Sequence, residues 1–170
     1  VLPLFQKALF ITLKLGCIGI FFSIIIGLIC NLLLTRENIL LSSLVNAYIE
    51  LSRNTPLLIQ LFFLYYGLPK FGIKLDEQVC AIIGLSFLGG SYMSEALRAG
   101  IEAVHKNQIE SGLSLGMNKI QLLRYVILPQ AISVSIPLIA ANAIFLVKET
   151  SVVGIIAVKE LMNLSKTLIG

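Results

Sequence analysis

Residues 125–147 read YVILPQAISVSIPLIAANAIFLV, and none of them is charged. A helix needs roughly 20 mostly apolar residues to cross about 30 Å of hydrocarbon. This run is long enough, so it reads as a membrane span, and the rest of the chain has to be read with the bilayer as part of its solvent. Its interior holds Pro129, Pro137 and Asn142. Prolines are tolerated in membrane helices and often mark kinks, which makes Pro137 a candidate gating position.

Moving outward, residues 15–35, 54–69 and 78–94 are also free of charge. The two middle runs are short, but their flanks carry long side chains that can snorkel to an interface. The pattern predicts an all-α polytopic bundle in one domain, residues 1–170, with spans at about 8–34, 56–68, 78–101 and 125–147. The composition agrees: of 170 residues, 57% are apolar and 13% charged, and the mean hydropathy is +0.94. Soluble domains carry about 25% charged residues. The first run is too long for a signal peptide and lacks a small-residue cleavage pattern after it.

The net charge of +4 does not point to nucleic acid, because there is no basic stripe and no Trp. Basic residues in membrane proteins report loop orientation. Their count on the two sides is nearly even, but all four arginines (Arg36, Arg53, Arg98, Arg124) fall on the side of residues 35–53 and 98–124, which points to that side as cytoplasmic. Cys17, Cys30 and Cys80 lie in or beside apolar runs without metal-ligand spacing, and read as packing. His105 stands alone in a polar loop. No phosphate-binding glycine loop and no Ser/His/Asp set appears, so the chain does not read as an enzyme. Any energy it uses comes from a partner or an ion gradient.

Several positions stand out along the spans. Gly16, Gly19, Ser23 and Gly27 lie near one face of the first, and Ser86, Gly90 and Ser94 form a stripe on the third. Small residues at such spacing let helices approach closely in lipid. Glu95 is a carboxylate inside the third span, a functional hypothesis by default, although an ion pair with Arg98 at i, i+3 would make it bland. Glu95, Ser86, Gly90 and Asn142 are therefore the candidate pathway residues. Residues 39–53 are amphipathic, with Glu50 and Arg53 spaced for a surface pair. Asn54-Thr55-Pro56 then breaks the helix, because Pro56 cannot donate and disfavours helix at Thr55. That predicts a break at the cytoplasmic end of the second span. Tyr65, Tyr66 and Pro69 mark its exit at an interface. After the fourth span, residues 148–168 are too interrupted to cross and read as a loop plus an amphipathic helix.

Residues 107–124 form the segment that a plain turn would not require. Ile109, Leu113, Met117 and Ile120 make a narrow apolar stripe against a polar back. Asn118 and Gln121 have capping-box spacing, with Met117 and Leu122 placed as its staple. Gly116 is a natural left-handed stop for the preceding helix. The reading is two short helices at a sharp glycine turn. Two uses remain open from the pattern alone: a projection suited to a partner's groove, or a helix pair lying on the membrane.

The same segment resembles the cytoplasmic loop of the membrane subunits of ATP-binding-cassette importers, whose motif is Glu-Ala-Ala, three residues, Gly, nine residues, Ile-x-Leu-Pro. Glu110, Gly116, Leu128 and Pro129 match at that spacing; Ser111 and Gly112 stand for the alanines and Val126 for the isoleucine. YIELSRNTPLLIQLFFLYYGLP, YMSEALRAGI and LVKETSVVGIIAVKEL are further similar to the polar amino-acid permeases of the histidine/glutamine/arginine type. The resemblance implies a multi-pass subunit in the bacterial inner membrane, with loop 102–124 docking on an ATPase subunit through Glu110, Gly112, Leu113, Gly116, Met117, Ile120, Leu128 and Pro129. It implies a second permease subunit, an extracytoplasmic substrate-binding protein and a polar amino-acid substrate. It implies ATP and Mg on the ATPase, with no cofactor on this chain, and a fifth span beyond Gly170. A secondary transporter would instead be expected to show internal repeats and helices broken at mid-membrane. A non-transporting scaffold would need neither the Gly116 turn nor Glu95.

Overall fold

The computed structural model describes residues 2–35 and 38–169; Arg36, used above for orientation, lies outside them. The helices are α1 (Leu2–Leu34), α2 (Ile39–Asn54), α3 (Leu57–Phe62), α4 (Glu77–Glu102), α5 (Lys106–Ser114), α6 (Lys119–Leu122), α7 (Leu128–Glu149) and α8 (Leu161–Ile169). Among the described residues, three helical stretches are long and apolar enough to cross a membrane alone: Leu2–Leu34, Glu77–Glu102 and Lys119–Ile156. The first begins six residues before the expected boundary, because Pro3 in its opening turn costs no hydrogen bond.

α4 is the axis of the bundle. α1 lies along it in the same direction, Gly19 beside Leu85 and Gly27 beside Met93. α7 runs the opposite way, with Asn142 at Tyr92 and Ser135 at Ala96. The small residues of α1 face inward as the spacing predicted; Gly16, Gly19, Ser23 and Gly27 are all buried. At Gly27 the backbones come so close that an added Cβ would stand 2.8 Å from the Ser94 nitrogen. Asn31 seals this seam by donating its amide to Gly27 O (2.9 Å) and Ser94 O (2.8 Å). In lipid such bonds matter because no water can replace them.

The second crossing differs from the expected single span at 56–68. α2 packs one face on the bundle, with Val45 and Ile49 against Cys30, and leaves most of its surface exposed. Tyr48 donates to Phe87 O (2.7 Å) and Ser52 to the same oxygen (2.9 Å). α3 then packs Leu57 and Leu61 against Gly84. The two helices therefore cover α4 in sequence, and Asn54-Thr55-Pro56 lies beside the middle of α4, not at one end of a span. Within the amphipathic pattern of α2, Tyr48, Ser52 and Arg53 are the polar side chains that bond to α4. Thr55 is extended (φ −108°, ψ 118°), as a residue before proline must be. The open end of α2 is closed by the Gln60 amide, which donates to Thr55 O (2.9 Å) and Ser52 O (3.2 Å).

Two π-turns follow a common rule. Phe63–Gly67 precedes Pro69, and Leu123–Ile127 precedes Pro129. A proline removes one ladder hydrogen bond and collides with the carbonyl four residues back; a wider turn just ahead relieves both faults. Gly72, at φ 84°, ends the 3₁₀ turn Leu68–Phe71 that follows the first of them. The second lets the helix run on from Lys119 to Ile156, well beyond the expected 125–147. The fourth span thus ends in a tight 3₁₀ stretch, Thr150–Ile156, and then the expected loop and helix α8. Glu160 is buried there, and its carboxylate accepts from the Met162 and Asn163 amides (both 2.6 Å).

Candidate functional site

The projection is built by local chemistry. α5 ends in a Schellman turn: Met117 N donates to Gly112 O (3.1 Å) and Gly116 N to Leu113 O (2.9 Å). Gly116 sits at φ 78°, where a side chain is strongly disfavoured. Asn118 accepts from Gln121 N and donates its own amide to the Gln121 side chain, both at 2.9 Å, completing the expected capping box. Gly112 is the pivot: a Cβ there would meet Leu122 at 2.6 Å and Met117 at 3.4 Å. The expected pair of separate short helices is corrected on one side. α6 is not independent, because it passes through the π-turn directly into α7. The projection is therefore an elbow whose second arm is the membrane span itself.

Its outer surface is apolar where a soluble surface would not be. Leu113, Leu115 and Ile120 are 52%, 79% and 76% exposed. Ile109 and Met117 are only half-exposed, and Met117 closes over Gly112 instead of standing on the ridge. Leu115, which the helical pattern did not select, takes that place at the turn. Glu110 is exposed at the rim of a shallow hollow with Asn107, Ser111 and Ser114. Leu128 and Pro129 are also exposed.

A second cluster lies midway along α4. Arg53 forms an ion pair with Glu95, and its guanidinium stands 5.2 Å from the centre of the Tyr92 ring. Asn142 donates to Tyr92 O (3.1 Å), and Phe145 packs on the Tyr92 ring. The expected Glu95–Arg98 pair is not formed; Arg98 reaches Glu102 instead (3.5 Å). Nor does Arg53 pair with Glu50, because the bundle turns Arg53 toward α4. Arg53 and Glu95 remain about one-third exposed.

Of the four expected pathway residues, Glu95 and Asn142 meet around Tyr92, and the other two do not. Gly90 is packed beneath Ile26 and Tyr48. Ser86 is buried, its hydroxyl unpartnered among the described residues. Both belong to the helix seam because the stripe spacing that selected them is a packing signal. Pro56 marks the break between α2 and α3, and Pro137 sits inside α7 without interrupting it. Arg53 and Tyr92 went unselected, since their partners are about 40 residues away in sequence.

Residues 19–167 match the family described as binding-protein-dependent transport system inner membrane component. A probable amino-acid ABC transporter permease, PatM of Vibrio harveyi, is 38% identical over 164 residues, covering 95% of this chain and 74% of that one. A probable glutamine ABC transporter permease, GlnP of Bacillus subtilis (strain 168), is 35% identical over 160 residues, covering 94% and 73%. The crystal structure of an amino acid ABC transporter with histidines superposes with a TM-score of 0.92 at 34% identity, covering 98% of this chain and 78% of that one. Inward-facing MetNI, a methionine ABC transporter, shares the fold at 22% identity, with a TM-score of 0.75 and 94% and 77% coverage. The chain belongs to the family of binding-protein-dependent transport system inner membrane components. It is a multi-pass transport subunit of the inner membrane, not an ATP-hydrolysing one. The secondary-transporter and scaffold readings fall with that assignment.

Proposed function

We propose that the chain is one permease subunit of an ATP-driven importer for polar amino acids, paired with a second permease subunit, identical or homologous. In this reading an extracytoplasmic binding protein delivers the substrate. Two ATPase subunits bind ATP and Mg, and this chain binds no cofactor. The observation that carries the reading is the exposed apolar ridge of Leu113, Leu115 and Ile120 on an elbow continuous with a membrane span. Such a ridge fits a cleft on a partner, and its continuity gives the cleft's movement a path into the bilayer. Gly112, Gly116 and Met117 hold that shape, and the exposed Glu110, Leu128 and Pro129 complete the ATPase-docking surface.

Arg53, Tyr92, Glu95 and Asn142 form the pathway lining, an arrangement of both charge signs and an aromatic face suited to a zwitterion. Pro56 and Pro137 are the points where the crossings bend during gating. The test is reconstitution of the chain in liposomes with its partner ATPase and binding protein. Uptake of labelled histidine, glutamine or arginine, with hydrolysis stimulated by the loaded binding protein, is the expected result. Stimulated hydrolysis without uptake of any polar amino acid would overturn the substrate class. Failure to retain an ATPase would overturn the coupling role.

A further inference from the structure

Resting on that reading, the geometry points to Gln130 and Gln108 as positioning residues that clamp α5 to the inner end of the fourth span, so that elbow and span move as one rigid body. Gln130 stands just past Pro129, where the ladder is interrupted. Its amide nitrogen donates to Val126 O (2.9 Å), one turn back inside the π-turn. The same nitrogen donates to the Gln108 side-chain oxygen on α5. One side chain thus stiffens the weakest turn of the span and ties the projecting helix to it.

Three further contacts close the same body. Gly112 brings α5 within reach of Leu122 and of Val126, whose Cγ2 would lie 3.7 Å from an added Cβ. The Schellman turn and the capping box fix the corner at Gly116. Ser135 donates to Ala96 O (3.2 Å), holding the end of α4 against α7. Nothing in this arrangement leaves Gly116 free to act as a hinge. Its positive φ sets an angle once. Displacement of α5 by a partner therefore passes to α7 undiminished, and bending falls beyond Ser135.

The test uses the complete importer carrying Cys17→Ala, Gln108→Cys and Gln130→Cys. Two glutamines that meet at their tips hold their backbones too far apart for a direct disulfide, which needs Cα atoms within roughly 7 Å. A short bis-methanethiosulfonate reagent bridges that gap and is removed by reductant. Because the reduced form lacks the Gln130–Gln108 clamp, the bridged importer should move at least as much amino acid per ATP hydrolysed as its reduced form, with stimulated hydrolysis retained. Loss of uptake and stimulated hydrolysis on bridging, with recovery on reduction, would show that α5 turns against the span and would overturn the proposal. Failure of the two thiols to bridge would overturn the contact itself. Absence of uptake in the reduced, Cys17→Ala and unaltered importers alike would count against the importer reading, separately from the clamp. Gln130→Leu, which keeps the size but not the bonds, should lower amino acid moved per ATP hydrolysed at least threefold while the subunit stays inserted. An unchanged ratio would contradict the positioning role.

Discussion

Glu95 and Gly27 show how differently residues at two faces of α4 respond to change. The Arg53–Glu95 pair is partly exposed, and such pairs contribute about 1 kcal/mol or less to stability. Glu95→Gln should therefore leave insertion and thermal stability nearly unchanged. If the pair lines the pathway, initial uptake should fall at least tenfold in liposomes at equal protein. Wild-type uptake kinetics would reduce Glu95 to a surface ion-pair partner. Gly27 is the reverse case. A Cβ there meets the α4 backbone at Ser94, which cannot rotate away, so Gly27→Ala should destabilise the bundle by about 1–3 kcal/mol. The drop should appear as a lower melting temperature in detergent; an unchanged midpoint would mean that α1 can slide along α4 at no cost.

At the scale of the element, the elbow was legible because its determinants are local. A glycine stop, a capping box and a staple lie within ten residues, and each requires only near neighbours. The continuity of α6 with α7 was not legible, since the charge at Arg124 marked the start of the span and the π-turn that carries the helix across it has no periodic signal. The position of the Asn54–Pro56 break was hidden for another reason. It depends on Tyr48 and Ser52 bonding to Phe87 O, contacts that no periodicity in α2 announces. Gly116→Val tests the legible part. Placing a β-branched residue at φ 78° is strongly disfavoured, so the corner must open and the ridge be re-aimed. The spans are untouched, so the subunit should insert and pair. The purified complex should either lose its ATPase or hydrolyse ATP without stimulation by loaded binding protein, with uptake at least about tenfold lower, equivalent to about 1.4 kcal/mol of coupling. Wild-type stoichiometry together with wild-type stimulation and uptake would sink the elbow as the connector.

Across the whole molecule, the far end of the bundle is held by α8. Glu160 caps α8, and Leu161 N donates to Thr12 on α1 (3.1 Å), a link across nearly the full sequence that nothing in the sequence suggested. Removing the cap by Glu160→Ala should cost about 1 kcal/mol. Trypsin should then cut at Lys159 or Lys166 roughly fivefold faster, while the transmembrane core stays protected; an unchanged rate would show that α8 is held by its apolar face alone. The parallel run of α1 and α4 has a consequence for synthesis. Neighbours in a hairpin can pair as soon as both are made, but α1 must await a helix two crossings later. Asn31 meets Ser94 only after 63 more residues have been added, roughly 3–13 s at ordinary translation speeds. During that interval one of its amide protons has no partner on the chain and faces lipid or the insertion machinery. The nascent subunit therefore has a built-in waiting period, and the best-packed seam of the finished protein is its most vulnerable surface while it is being made.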